Sequence, residues 1–235
     1  MIRARCHPRL RPILPPPVPA RYALPDWLRS MPSEVEAASL GGEAVRTLKH
    51  CPPVIDALSA GVIIPLATDL QISRGEIAWN WDPPILEDAR ISRAPVGLHV
   101  PEQAQGAPFR LTTNAVVKFM NFWTLDAPEG WSLLFAHPFN REDLPFRALS
   151  GVVDGDLFRD GYVHFPALWT EPGFEGTLPK GTPVAQVIAF PRGGQGLEVG
   201  EMTDDDIARN REVQRALGTE RGAYRKQYRA RDREV

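Results

Sequence analysis

Two aspartates that flank a glycine follow an apolar pair in the segment Gly151-Val152-Val153-Asp154-Gly155-Asp156. A buried strand that ends in this way places both carboxylates at the rim of a sheet, where a carboxylate can act as a general base or assist a metal ion. Asp154 and Asp156 are therefore the candidate catalytic residues. A structural role stays open, because an Asp-Gly-Asp turn can also accept hydrogen bonds from its own backbone N–H groups.

Three histidines, His99, His137 and His164, each lie in or beside a candidate strand. Two histidines and a carboxylate, Asp154 or Asp156, could form an open iron site on a β-scaffold, as in iron-dependent oxygenases. The close His-x-Asp or His-x-Glu pairing that is common in such oxygenases is missing from the sequence. Histidines beside aromatic residues also serve as hydrogen-bonded structural residues, so both interpretations stand.

Gln186 lies inside an apolar run, where a buried amide must find hydrogen-bond partners. It could bind a ligand or bridge neighbouring strands. Aromatic side chains could supply a stacking wall for a base or a sugar, or they could pack in the core or at an interface. The tryptophans with this potential are Trp79, Trp81, Trp123, Trp131 and Trp169.

The composition limits the classes of partner and the location. A chain of 235 residues corresponds to one large domain or to a domain with extensions. The formal net charge is −2, so no global field attracts nucleic acid or a membrane, and we expect neither as a partner. The two cysteines, Cys6 and Cys51, suit a reducing cytoplasm, which is the location we expect. No apolar run approaches the roughly 18 residues of a membrane span.

The pattern of the chain favours a β-protein. Its 24 prolines argue against a helical bundle, because proline fixes φ and lacks an N–H. Gly, Pro, Asp or Asn separate a series of short apolar segments. The candidate strands are Val62–Leu66, Leu70–Ile72, Glu76–Trp81, Val96–Val100, Ala115–Phe119, Ser132–Ala136, Gly151–Asp154, Tyr162–Phe165 and Val184–Phe190. Short strands without helices between them predict a mainly β, antiparallel-rich sandwich or barrel.

The sequence predicts three parts: a Pro-rich N-terminal arm (1–40), a single β-rich core domain (41–200) and a charged helical tail (201–235). Residues 43–60 show helical spacing that is broken at Pro52-Pro53. Thr203 is the predicted N-cap of the tail helix, whose first turn is acidic. Arginines in the tail could contact phosphates of a nucleic acid, but the acids between them favour a solvated helix.

Three segments in one order give residues 125–192 a resemblance to the trimeric dUTPases. They are the turn Pro128-Glu129-Gly130-Trp131 with the strand Ser132–Ala136 after it, then Gly151–Asp156, then Lys180–Gln186. The resemblance implies a β-clip fold for the core and a homo-oligomer, since the related folds are trimers. It implies dNTP hydrolysis or binding, in which Asp154 positions water or Mg²⁺. Gln186 and Arg141 would then contact phosphate, and Trp131 or Phe158 would wall the pocket.

The departures from the dUTPase pattern fall on function. Ala136–Arg141 replaces the phosphate-binding Arg-Ser-Gly, and Leu157 replaces the tyrosine after Asp-x-Asp. Thr182-Pro183 replaces the late Asp-Arg, and the Gly-rich run Arg192–Gly196 comes too early to match the family's C-terminal phosphate lid. The fold can therefore carry over while dUTP hydrolysis need not.

The whole chain also resembles an uncharacterised family of bacterial and tailed-phage proteins. The segments that carry this likeness are Pro19–Tyr22, Pro25–Trp27, Lys49–Ala57 and Gly61–Leu66. The likeness implies one integrated unit and supplies no activity. Three hypotheses result: a nucleotide hydrolase or binder, a non-catalytic structural or interaction protein that reuses the fold in a phage-related setting, and an iron-dependent oxygenase.

Overall fold

The computed structural model describes residues 1–86, 92–109, 116–193 and 196–230. The predicted mainly β, antiparallel fold is confirmed within these ranges. The strands are β1 (Arg3–Arg5), β2 (Val18–Pro19), β3 (Glu34–Ala37), β4 (Glu43–Arg46), β5 (Val62–Pro65), β6 (Leu70–Ser73), β7 (Glu76–Ala78), β8 (Val96–His99), β9 (Val116–Phe119), β10 (Thr124–Asp126), β11 (Trp131–Ala136), β12 (Phe146–Ala148), β13 (Gly151–Asp154), β14 (Phe165–Trp169), β15 (Gly176–Leu178) and β16 (Pro183–Pro191). The α-helices are α1 (Asp26–Ser30), α2 (Pro52–Ser59) and α3 (Asp204–Thr219), with a π-helix at Tyr224–Tyr228 and 3-10 helices at Ala20–Tyr22, Ala38–Leu40, Leu48–His50 and Pro101–Ala104.

Two larger sheets form the body of the protein. The first has the strand order β13-β11-β16-β5-β2, and the second has the order β12-β14-β9-β8. Smaller sheets have the orders β15-β6-β7, β1-β10 and β3-β4. All the strand pairs in the described ranges are antiparallel.

The main hydrophobic core draws on both larger sheets. Leu133 of β11 and Val187 of β16 are fully buried, and Phe119 of β9 and Phe146 of β12 are nearly so. The rings of Phe119 and Phe146 pack with their centroids 4.6 Å apart. Removal of this apolar surface from water is the main favourable term in folding the first unit.

The N-terminal residues pack against the rest of the first unit. Strand β1 pairs with β10, and β2 adds to the largest sheet beside β5. Leu10, Leu14 and Leu28 are buried. The indole Nε1 of Trp123 donates a hydrogen bond to the carbonyl oxygen of Pro15 at 3.2 Å, which fixes the Pro-rich segment. The predicted boundary of the arm at residue 40 stays a prediction.

Two sequence-based predictions differ from the structure. The residues 43–46 form β4 in a hairpin with β3, and the helix predicted there is wrong. Gly41 and Gly42, with φ of 69° and 88°, allow the chain to reverse between these strands. The helix prediction rested on the spacing of apolar residues, which contains no information about this reversal. The predicted strand Tyr162–Phe165 is displaced, because β14 begins at Phe165 and Tyr162 forms only an isolated bridge with Thr124. Of the predicted strand Ala115–Phe119, Ala115 lies outside the described residues.

The chain divides into two compact units, Met1–Gly193 and Gly194–Val235. The second unit contains α3, and the predicted N-cap is confirmed: Thr203 Oγ1 accepts from the Asp206 N–H at 3.2 Å, and the Thr203 N–H donates to Asp206 Oδ2 at 2.9 Å. None of the helices in the described ranges has the length and hydropathy that crossing a membrane requires.

Gly61 is a point of close backbone approach in the largest sheet. Its φ is +69°, and its carbonyl oxygen accepts from the Ala20 N–H at 3.0 Å. A Cβ at this position would lie 2.0 Å from the carbonyl oxygen of Val187, which is far inside van der Waals contact. Glycine is therefore required both by the dihedral angle and by the space.

We expect Gly61→Ala to lower the free energy of unfolding by about 3 kcal/mol or more, because strain and overpacking add. Gly41→Ala is the matched control, since Gly41 has the same φ of +69° and nothing within 4 Å of an added Cβ. The control should lose only about 1–2 kcal/mol. Urea denaturation of both variants measures the difference, and equal losses would contradict the steric argument.

Candidate functional site

The predicted catalytic pair lies at one end of the largest sheet. Asp154 is the last residue of β13, and its partner across the ladder on β11 is Ser132. Ser132 is paired on its other side with Phe190 of β16. Arg192 follows β16 directly, so the antiparallel register brings it to the aspartates.

Arg192 binds both aspartates. Its Nη1 and Nη2 donate to Asp156 Oδ1 at 2.8 Å and to Asp156 Oδ2 at 2.5 Å, and Nη1 lies 2.9 Å from Asp154 Oδ1. The Ser132 hydroxyl donates to Asp154 Oδ1 at 2.8 Å. The Gly130 N–H donates to Asp156 Oδ2 at 2.8 Å, and the Gly130 carbonyl oxygen accepts from the Arg192 N–H at 2.8 Å. We call the side chains of Asp154, Asp156 and Arg192 the ion cluster.

The ion cluster holds its three members in their charged forms. Hydrogen bonds from Arg192 and from the Gly130 N–H hold the pKa of the Asp156 carboxyl well below its ordinary value. Hydrogen bonds from Arg192 and Ser132 lower the pKa of Asp154. The bonds to Asp156 and Asp154 raise the pKa of the Arg192 guanidinium. A carboxylate with a lowered pKa is a weak base, so this arrangement is poorly suited to general-base catalysis at neutral pH.

The two aspartates differ in their access to solvent. The side chain of Asp156 is 6% exposed and both of its oxygens accept hydrogen bonds. The side chain of Asp154 is 47% exposed, and the bonds from Ser132 and Arg192 both go to Oδ1. Asp154 Oδ2 accepts no hydrogen bond from the residues that the structure describes. Of the two, Asp154 alone keeps an oxygen that could bind water or a cation.

A cleft of about 820 Å³ opens beside Asp156. Its lining residues are Met1, Arg3, Asp126, Ala127, Pro128, Glu129, Gly130, Asp156, Leu157, Arg159 and Arg192. The Nε of Arg159 donates to the Asp156 carbonyl oxygen at 2.9 Å. The Nη groups of Arg159 have no carboxylate partner in the described ranges. The guanidinium of Arg3 has no hydrogen-bond or ion-pair partner in those ranges either.

The predicted pocket walls, Trp131 and Phe158, are near the ion cluster but are not among the residues that line the cleft. Trp131 is half-buried and begins β11. Phe158 is exposed in the turn after Asp156, and its ring lies against Gly161, where an added Cβ would come within 2.2 Å of it. The apolar wall of the cleft is instead formed by residues such as Pro128 and Leu157.

Gln186 lies at the opposite end of the β11–β16 pair. It is paired with Ala136, four residues along β11 from Ser132, which corresponds to a separation of about 13 Å. Its side chain is 1% exposed. The Nε2 group donates to the carbonyl oxygens of Ala57 at 2.9 Å and Ala60 at 2.6 Å, and Oε1 accepts from the Phe139 N–H at 2.9 Å. Gln186 therefore joins the C-terminal end of α2 to the loop after β11.

Arg141 and His137 lie in that same loop, away from the aspartates. Arg141 donates from Nε and Nη2 to the two carboxylate oxygens of Asp143, each at 2.8 Å. The Ala148 N–H donates to His137 Nδ1 at 3.3 Å, so Nε2 carries the hydrogen and donates to the Arg141 carbonyl oxygen at 3.0 Å. Burial lowers the pKa of His137 and keeps it neutral.

The other two histidines are also held by local hydrogen bonds. His164 Nδ1 accepts from the Asn121 N–H at 3.2 Å, and burial, with Lys118 as a further cause, lowers its pKa. His99 Nδ1 lies 3.2 Å from Gln103 Oε1. Among the described residues, no three His, Cys, Asp or Glu side chains are placed to share a metal ion. The side chains present do not fit the iron site that the sequence allowed.

Several residues of the site were not singled out in the sequence. These are Arg192, Ser132, Arg3 and Arg159. Arg192 could have been found by assuming that the predicted strands β11 and β16 pair. An antiparallel β11–β16 ladder places the residue after β16 beside the turn before β11. Arg3 carries no such signal, since its strand has only three residues.

No family model matches the chain, and no curated protein matches it. Among solved structures, the chain is similar to a mutant of the dUTPase from phage phi11 of S. aureus, at 14% identity and a TM-score of 0.28, over 46% of this chain and 98% of that chain. It is also similar to the Staphylococcus bacteriophage 80alpha dUTPase with dUpNHpp, at 12% identity and a TM-score of 0.27, over 46% of this chain and 89% of that chain. Similarities this distant do not bear on activity.

We expect Asp156→Asn to lower the free energy of unfolding more than Asp154→Asn does, because the first removes a nearly buried partner of Arg192. In the wild type, the folded pKa of Asp156 lies below its ordinary value of 3.8, so the stabilisation is present above that pH and is lost as the pH falls below it. Urea denaturation at pH 7 and pH 3 tests both points. Equal losses in the two variants at pH 7 would contradict the structural role of Asp156.

We expect Gln186→Leu to lower the free energy of unfolding by roughly 2–4 kcal/mol, because two carbonyls and one N–H lose their buried partner. Gln71→Leu is the control, since Gln71 is exposed on β6 and its Oε1 accepts from Thr177 Oγ1 at 2.8 Å. Thermal and urea unfolding measure the change. Equal stability of the two variants would contradict the bridging role of Gln186 and favour the alternative that it binds a ligand.

Proposed function

We propose that this chain binds a small anionic ligand of the nucleotide class in the cleft beside Asp156. In this proposal the ion cluster holds one wall of the cleft, and the predicted catalytic pair has a structural role. The observation that carries the proposal is the presence at the cleft of two guanidinium groups, Arg3 and Arg159, without carboxylate partners in the described ranges.

The chemistry of the lining supports a phosphate-bearing ligand. Guanidinium groups present several N–H donors in a plane that matches phosphate oxygens. The volume of about 820 Å³ lies in the range of small-molecule sites and is large enough for a nucleotide. Arg192 adds no free positive charge, because its single charge is paired with two carboxylates, those of Asp154 and Asp156. The affinity for an anion therefore depends on Arg3 and Arg159.

The carboxylates of the cleft limit how the ligand can lie. Asp126 Oδ2 is 3.7 Å from Arg5 Nη2, which partly balances its charge. Glu129 also lines the cleft and repels an anion. We therefore expect the phosphate to face Arg3 and Arg159, with the less polar part of the ligand against Pro128 and Leu157.

A second candidate function is nucleotide hydrolysis, favoured by the half-exposed Asp154 with one unoccupied oxygen. Asp154 would orient water or act as one ligand of Mg²⁺, which commonly uses one or two carboxylates together with substrate phosphates. Asp156 does not fit such a role, since both of its oxygens are engaged. A homo-oligomer and a cytoplasmic location remain predictions.

Calorimetric titration with a panel of deoxynucleoside triphosphates and with inorganic tripolyphosphate tests binding. We expect Arg3→Ala and Arg159→Ala each to weaken binding by about tenfold, the loss of one charge-assisted contact. Arg46→Ala is the control, because Arg46 lies on the β3–β4 hairpin 3.9 Å from Glu34. Failure of the wild type to bind any of these anions would contradict the proposal.

Phosphate or pyrophosphate release from the same panel with Mg²⁺ separates the two candidates. Binding without turnover supports the binding protein. Turnover that Asp154→Asn abolishes would establish hydrolysis in its place.

A further inference from the structure

The N-terminal strand forms one wall of the cleft. Met1 and Arg3 both line it, and within the described residues β1 pairs with β10 in a two-stranded sheet. Successive side chains of a strand point to opposite faces. Ile2 and Ala4 accordingly pack on the hydrophobic core, which leaves Arg3 and Arg5 on the other face.

A two-stranded ribbon of three residues on each side is marginal by itself, so side-chain contacts must hold it in place. Ile2 and Ala4 supply the apolar contacts, and Arg5 supplies polar ones. Its Nη2 donates to the Arg159 carbonyl oxygen at 3.2 Å and to Asp160 Oδ1 at 3.1 Å, and it lies 3.7 Å from Asp126 Oδ2. The Thr124 hydroxyl donates to the Arg5 carbonyl oxygen at 3.3 Å.

These contacts join three separate segments. Asp126 ends β10, and Arg159 and Asp160 belong to the turn after the aspartate pair. Arg159 continues the connection inward, since its Nε binds the carbonyl oxygen of Asp156. The backbone of Arg159 is thus bound by Arg5 while its guanidinium reaches the cleft. Arg5 itself is not one of the lining residues.

We infer that Arg5 is a positioning residue for ligand binding. It fastens β1 to the turn of residues 155–161, so that Arg3 from one segment and Arg159 from the other can bind one anion together. The inference rests on the proposed function for its ligand. It adds that the binding site requires the docked N-terminal strand, and that an anion which spans both arginines in turn protects β1 from opening.

Hydrogen exchange of the amides in residues 3–5 and calorimetric titration with inorganic tripolyphosphate test this inference in the full chain. The variants are Arg5→Ala, Arg5→Lys, Arg3→Ala and the control Arg46→Ala. We expect Arg5→Ala to speed exchange in β1 and to weaken tripolyphosphate binding about two- to fivefold, the range of a partly exposed ion pair. Arg5→Lys keeps a single point charge and should recover part of both effects.

The outcomes separate the inference from the proposed function. Wild-type binding that Arg3→Ala weakens and Arg5→Ala leaves unchanged overturns the role of Arg5 and keeps the binding site. Absence of tripolyphosphate binding by the folded wild type overturns the proposed function and, with it, the role of Arg5 toward a ligand. Faster exchange confined to β1, weaker binding and partial recovery by lysine support the inference, because a general loss of structure would speed exchange in the rest of the first unit as well.

Discussion

The end of the largest sheet depends on one cation placed between two carboxylates. Asp156 has a side chain that is 6% exposed, and a charge so poorly solvated persists only with a hydrogen-bonded partner. Arg192 supplies that partner from the end of β16, and its backbone N–H binds Gly130 in the turn that opens β11. The strand ends, the turn and the wall of the cleft are thus held by one set of contacts. The same contacts bind the carboxylates that the sequence marks as catalytic and keep both of them charged.

The two ends of the β11–β16 ladder carry different polar groups. At the cleft end, the ion cluster is charged and partly open to solvent, so a ligand can approach it. At the other end, Gln186 is neutral and enclosed, and its hydrogen-bonding groups are directed at α2 and the loop after β11. The strand rise separates these ends by about 13 Å, so residues from both cannot contact the same phosphate. Geometry along a single ladder therefore divides the predicted site residues into two groups.

The parts of the fold that could be predicted from sequence are those that local patterns determine. The strand Gly151–Asp154 has its predicted bounds, and Thr203 caps α3 through Asp206. Strands β5 and β11 differ from their predicted bounds by one residue at one end, and β16 differs by one residue at each end. The strands β1 and β2, of three and two residues, were missed, because their pairing partners lie far away in sequence. The position of Asp154 and Asp156 at the end of a strand followed from the pattern, but the strand itself, β13, is a mostly exposed edge strand and not the buried strand that the sequence predicted. The ion pairing of the two aspartates with Arg192 did not follow from the pattern, since that pairing requires the register that brings Arg192 to them.

The charged residues of the cleft come from segments that are distant in sequence and that strand pairing brings together. Asp156 follows β13 and Arg192 follows β16, whereas Arg3 and Arg5 lie in the first strand of the same unit. Alternation on β1 directs Ile2 and Ala4 to the core, so burial of small apolar side chains determines the face on which both arginines stand. Arg5 then meets acceptors of the turn, and Arg3 is left for the cleft. Strand β1, with its alternating apolar and basic residues, thus adds the guanidinium of Arg3 to the cleft, where Arg192 is already paired with carboxylates.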